Sequence, residues 1–105
     1  MHMQVVTFQL SGISHEDYVA LCDDLAPTVA AVPGLISKIF LCDPTSGTYG
    51  GVMAFESAAA CAAYQRSELV TGFVANPTII NLVSREFDVL EGPTSVTHGL
   101  AGAAV

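Results

Sequence analysis

The sequence predicts an α+β domain, one antiparallel four-stranded sheet with two helices on one face. Three observations carry this. Val32 to Phe55 reads as a β-hairpin, two apolar strands joined by an Asp43-Pro44-Thr45-Ser46-Gly47 turn. A helical stretch and one further strand flank it on each side. The resulting β-α-β-β-α-β order is that of the ferredoxin-like, split βαβ arrangement. The second sheet face then needs a cover, most simply a second copy of the chain, and the space between the two sheets is the first place to look for function.

Gln4 to Leu10 is the first strand. Val6, Phe8 and Leu10 alternate with Val5, Thr7 and Gln9, so the first set faces the helices and the more polar set faces the open side. Ser14 is the expected N-cap of the first helix, with Glu16 and Asp17 suiting its dipole. Tyr18, Leu21, Cys22, Leu25 and Val29 recur at helical spacing and form an apolar stripe. Pro27 lies inside that pattern. It removes one backbone bond and clashes with the preceding turn, costing about 3 kcal/mol, so a kink or restart is expected there. Pro33-Gly34 ends the element.

Leu35 to Cys42 and Tyr49 to Phe55 are strands two and three. Both are apolar on both faces, so both faces should be covered. Gly50-Gly51 leaves one end of the third strand without side chains, the mark of a bulge or a close approach. Ser57 should cap a second helix running through AAACAAYQRSEL toward Gly72, and its alanines allow close packing on the sheet. Asn76-Pro77 is a turn. Thr78 to Leu90 contains the fourth strand, with its body at Asn81 to Val89. From Glu91 onward the chain is Gly, Ala, Ser and Thr without periodicity. Residues 1–95 are therefore read as the domain and 96–105 as a flexible or partner-crossing tail.

With 105 residues the chain forms one domain with a modest core. Hydrophobic residues make up 51% against 12% charged, yet no apolar run is long enough to span a membrane, so the surplus suits a partner subunit or a ligand cavity. Three basic against ten acidic residues give a net charge of -7. That leaves no basic footprint for nucleic acid or an anionic membrane. Cys22, Cys42 and Cys61 show neither metal-ligand nor disulfide spacing, and no signal-peptide pattern opens the sequence, so a reducing cytoplasm is the expected compartment.

No catalytic signature of the nucleophile-elbow, metalloprotease or phosphate-loop kind occurs. The candidates are polar groups on apolar strands. Lys38 shares a face with Ile36, Phe40 and Cys42. It either binds an enolate or phenolate, or acts as a base, or, on the plainer and favoured reading, covers the sheet with its stem and reaches solvent at the rim. Arg85 and Glu86 point to opposite faces of the fourth strand. One could polarise a carbonyl or act as base; an inter-subunit ion pair is the plainer and favoured reading. Tyr64 could donate to substrate but more often such a residue packs in a core. Thr7 and Gln9 suit a cavity or a sheet-to-sheet interface equally. Phe40 and Met53 are core residues or walls of an aromatic substrate site. His2, His15 and His98 are expected to be exposed, and Cys22 and Cys61 to be small core residues, with Cys42 nearer the rim.

Val32-Pro33-Gly34-Leu35, Lys38, Gly50-Gly51-Val52, Phe55, Tyr64 and Phe87-Asp88-Val89, taken in that order and spacing, resemble the YdhR-type mono-oxygenases of the dimeric α/β-barrel group, which also holds antibiotic-biosynthesis mono-oxygenases. The likeness runs from the first strand to about Ser95. It implies a homodimer with facing sheets, a small-molecule cavity in each subunit, and oxidation of a phenolic or polycyclic aromatic metabolite with no cofactor, whether metal, flavin or haem. On that reading Lys38 or Arg85 stabilises the substrate anion, Tyr64, Thr7 or Gln9 orients the ring, and Phe40, Met53 and Glu86 line the site. Ser37 and Phe40 stand where the family pattern has Trp, and the Pro27 to Pro33 segment is shorter, so the pocket is reshaped. A non-redox isomerase, cyclase or lyase on the same scaffold, or a binding dimer without catalysis, would need the same cavity.

Overall fold

The computed structural model describes residues 1–99. Strands β1 (His2–Leu10), β2 (Leu35–Asp43), β3 (Thr48–Phe55) and β4 (Ile79–Asp88) form one sheet in the order β2-β3-β1-β4, each neighbouring pair antiparallel. Helices α1 (His15–Ala30), α2 (Ala58–Gln65) and α3 (Glu68–Ala75) supply the connections, and α4 (Glu91–Val96) follows the last strand. This is the ferredoxin-like βαββαβ pattern.

Side-chain alternation sets the faces. Val6, Phe8, Tyr49, Met53 and Phe55 pack with Tyr18, Cys61, Tyr64 and Phe73 in two adjoining apolar clusters under the helices. Phe55 and Cys61 are fully buried. Aromatic edges tie the first helix to the sheet: Phe8 meets Tyr18 at 5.9 Å and Tyr18 meets Tyr49 at 5.1 Å between ring centroids. The opposite face carries Val5, Thr7, Gln9, Ile39, Leu41, Val83, Arg85 and Phe87, and several of its large apolar groups stand exposed.

The caps form as the sequence dictates. Ser14 Oγ accepts from the Asp17 amide at 3.1 Å and Ser57 Oγ from the Ala60 amide at 3.1 Å. In the hairpin turn Gly47 has φ +71°, and its amide donates to the Asp43 carbonyl at 2.9 Å.

Three local expectations are corrected. Helix α1 runs unbroken through Pro27; Pro27 and Asp23, whose carbonyl loses its amide partner, lie on the exposed side where water can take its place. The expected second helix is two. Ser67 ends α2 by donating to the Tyr64 carbonyl at 2.6 Å and starts α3 by accepting from the Val70 amide at 3.4 Å. Strand β4 falls within the expected stretch but contains a bulge, with Asn81 at φ +54° and a register shift opposite Thr7 to Gln9. Glu91–Val96 is helical rather than loose. Of the expected tail, residues 100–105 lie outside the described residues.

Candidate functional site

A cavity of about 400 Å³ lies between the inner sheet face and helices α1, α2 and α3. Its size suits a small organic molecule. The sheet supplies Gln4, Val6 and Phe8 from β1, Lys38 and Phe40 from β2, Gly51 and Met53 from β3, and Leu82 and Ser84 from β4. Tyr18, Leu25, Tyr64, Leu69 and Phe73 come from the helices. This cavity lies under the helices, whereas the expectation looked first to the space between two open sheet faces.

Two polar groups stand out on these apolar walls. Lys38 is half-buried, with its ammonium 4.3 Å from the centre of the Phe40 ring. Among the described residues no carboxylate lies within ion-pair distance of it. Burial holds its amine below the usual lysine range. Gln4 is 3% exposed. Its Nε2 donates to Ser84 Oγ at 2.9 Å, and its Oε1 is the one buried side-chain polar atom without a partner among the described residues. Turning the amide over exchanges the two atoms and leaves Nε2 unpaired instead. Either way one amide atom at this wall is available to a ligand, and an unmet buried polar atom costs about 1–3 kcal/mol until something meets it.

Tyr64 also reaches the cavity. Its ring packs at 5.6 Å from that of Phe55, and burial pushes its hydroxyl above the usual tyrosine value. Tyr18 is pushed up further, chiefly by burial. Neither phenol is therefore a ready base at neutral pH.

Of the residues singled out by sequence, Lys38, Tyr64, Phe40 and Met53 meet at the cavity. Thr7, Gln9 and Arg85 lie on the opposite face of the sheet, where the Arg85 guanidinium stands 5.6 Å from the Phe87 ring and Gln9 Oε1 accepts from Asn81 Nδ2 at 2.6 Å. Glu86 faces the helices at the end of β4, outside the cavity walls, beside His2 and Cys61. His2 is a correction. It was expected to be exposed, yet its side chain is only 12% exposed, with Nδ1 3.0 Å from Asp88 and Nε2 2.9 Å from Glu86. Gln4, Ser84 and Tyr18 were missed as site residues. The first was legible, since it is in phase with Val6 and Phe8.

Solved structures share the fold. The cofactor-independent oxygenase SnoaB of Streptomyces nogalater superposes with a TM-score of 0.68 at 13% identity, covering 85% of this chain and 92% of that one. The heme-degrader MhuD of Mycobacterium tuberculosis, with two hemes in its active site, gives 0.68 at 18% identity, covering 86% and 96%. At these identities the likeness shows fold alone. No curated protein matches the sequence. The family model described as "Putative mono-oxygenase ydhR" matches residues 3–100, nearly the whole chain, and the chain belongs to that mono-oxygenase family.

Proposed function

We propose that this protein oxidises a small phenolic or polycyclic aromatic metabolite with molecular oxygen, bound in the cavity between sheet and helices. The observation that carries this reading is Lys38, a half-buried amine with no carboxylate partner among the described residues, in an apolar cavity. Burial enlarges the neutral fraction of this amine relative to an ordinary lysine, and that fraction can accept a proton from an acidic C–H or O–H. The ammonium so formed then stands beside the carbanion or phenolate it has created, in a medium where that attraction is strong. The anion gives one electron to O₂, and the radical pair combines to a peroxide anion. Lys38 returns the proton, and the hydroperoxide loses water. For an anthrone the balance is a CH₂ group plus O₂ giving a carbonyl plus water. Gln4 would fix a ring hydroxyl or carbonyl through its unpaired amide atom. Phe8, Phe40, Met53 and Phe73 would hold the ring and keep water out.

The fold likeness to SnoaB, an oxygenase that uses no cofactor, supports the reading. The likeness to MhuD supports a haem substrate less well, because among the described residues no histidine lines the cavity to meet the iron. The same reading takes the active form to be a homodimer closed through the open sheet face.

The test is a product assay by mass spectrometry with metal-stripped protein and a panel of anthrones and hydroquinones, in air and without oxygen. Product that gains oxygen only in air, above the protein-free rate and lost in Lys38→Met, is expected. Equal conversion without oxygen would replace the reading with an isomerase or cyclase. Tight binding with no conversion would replace it with a binding protein.

A further inference from the structure

At the end of the sheet, outside the cavity, three elements bring together three different metal-ligating groups. His2 comes from β1, Cys61 from α2 and Glu86 from β4, and one ligand atom of each lies within 4.8 Å of the others. We propose that these three residues bind a divalent transition-metal ion of the zinc class.

The donor set fits that ion. Zinc takes imidazole nitrogen, thiolate sulfur and carboxylate oxygen, in a tetrahedron whose bond lengths place the ligand atoms roughly 3.3–3.7 Å apart. Here His2 Nε2 and Glu86 Oε1 are 2.9 Å apart, and Cys61 Sγ and the same oxygen are 3.5 Å apart. Glu86 Oε1 is thus the common acceptor of two donors, at the place where an ion would take over both contacts. Coordination would require the 2.9 Å contact to open by roughly half an ångström.

The surroundings orient the ligands. His2 Nδ1 lies 3.0 Å from Asp88 Oδ1, so a proton held on that nitrogen leaves Nε2 free to ligate. A carboxylate holding the far nitrogen of a ligating histidine is the usual support of such a site. Gln65 Nε2 stands 4.0 Å from Cys61 Sγ. The site is also open where it must be. Cys61 is fully buried and the His2 ring is mostly covered, but the Glu86 carboxylate is 46% exposed. An ion can enter past Glu86 and keep a water in the fourth position.

Binding releases the Cys61 thiol proton as the metal–sulfur bond forms, together with the His2 Nε2 proton where that nitrogen donates to Glu86, and no group changes oxidation state. Thiolate and carboxylate together balance the two charges of the ion. The ion would clamp the first strand, the last strand and α2 to one another, so binding to the folded state alone would raise stability by mass action. Neither the mono-oxygenase reading nor Lys38 enters this argument.

The test uses metal-stripped protein carrying no affinity tag, titrated with cobalt(II). One equivalent should bind, with thiolate-to-cobalt charge-transfer absorption in the near ultraviolet and tetrahedral bands in the visible, and zinc should displace it and raise the melting temperature. Cys61→Ser should abolish the charge-transfer band, whereas Cys42→Ser should keep it. His2→Ala leaves the buried core in place and should weaken cobalt binding by about tenfold or more. No charge-transfer band would overturn the proposal. So would a band that survives in Cys61→Ser, or a His2→Ala protein that binds cobalt as the wild type does.

Discussion

The arm of Lys38 lies over Gly51: a β-carbon built on that glycine would stand 2.9 Å from Lys38 Cε and 3.8 Å from its Nζ. The gap in β3 is therefore part of the cavity's polar wall, since it is where the amine rests. Gly50, its neighbour, has a different reason. A β-carbon there would collide with the backbone carbonyl of Val6, which cannot move without breaking the sheet. Gly51→Ala should leave stability within about 1 kcal/mol, because a flexible side chain can give way and a strand alanine offsets part of the cost. It should weaken binding of a hydroxyanthrone by roughly tenfold, or about 1.4 kcal/mol. Gly50→Ala should cost about 3 kcal/mol or more of stability. Urea unfolding and calorimetric titration of the two variants separate these effects; equal stability losses would mean that Lys38 is wedged and not merely resting there.

The lowered Lys38 amine makes a signed prediction for pH. Its ordinary value is 10.5, and burial lowers it in the folded protein. Between the folded value and 10.5 the unfolded chain binds more protons, so the contribution of this group to stability rises with pH. Below both values the fold carries the whole cost of a half-buried ammonium. Lys38→Met removes the charge and keeps the length. The variant should be more stable than wild type at neutral pH, and its advantage should shrink as the pH approaches about 10. Denaturant midpoints across that range measure the difference. A difference that does not change with pH would show that the folded amine keeps its ordinary value.

The open sheet face argues for self-association. Ile39 is 61% exposed, Val83 54% and Phe87 45%, the first on one edge strand and the other two on the opposite edge strand of the same sheet face. If two copies meet through this face, Ile39→Asp places a charge within the interface. Sedimentation should give a dimer for wild type and a monomer of unchanged circular dichroism for the variant. A wild-type monomer at micromolar concentration would sink the dimer and leave the face for another partner.

The elements that alternation and turn chemistry specify were legible in the sequence. Val6 and Phe8 against Val5 and Thr7 set the faces of β1, and the Asp43 to Gly47 turn set the hairpin and so the strand order. Lys38, Phe40, Tyr64 and Met53, singled out in the sequence as polar or large groups among apolar neighbours, all line the same cavity under the helices. What local pattern does not carry is what lies above each face. Thr7, Gln9 and Arg85 drew notice as polar groups on β-strands, but only the placement of the helices decides which face holds the cavity. The break at Ser67 was hidden in a run of good helix formers, although Ser67 followed by Glu68 is a start signal. His2 was read as a terminal residue because its partners, Glu86 and Asp88, are supplied by β4 pairing across the whole length of the fold.

Gln4 offers the sharpest separation of stability from function. Its unpaired Oε1 is a standing cost in the free protein, and Ser84, its one partner, is exposed enough to bond water instead. Gln4→Met keeps the volume and removes both the orphaned atom and the hydrogen bond. The variant should be as stable as wild type or more stable by about 1 kcal/mol, since replacing an unsatisfied buried group by an apolar one of like shape recovers its desolvation. Binding of a hydroxyanthrone should weaken by roughly tenfold, the loss of one buried hydrogen bond. Melting temperature and titration calorimetry on the same sample read the two quantities. A stability gain with weaker binding means that the amide is held unsatisfied for a ligand. A stability loss with unchanged binding would make Gln4 a structural residue of the β1–β4 pair and remove it from the site.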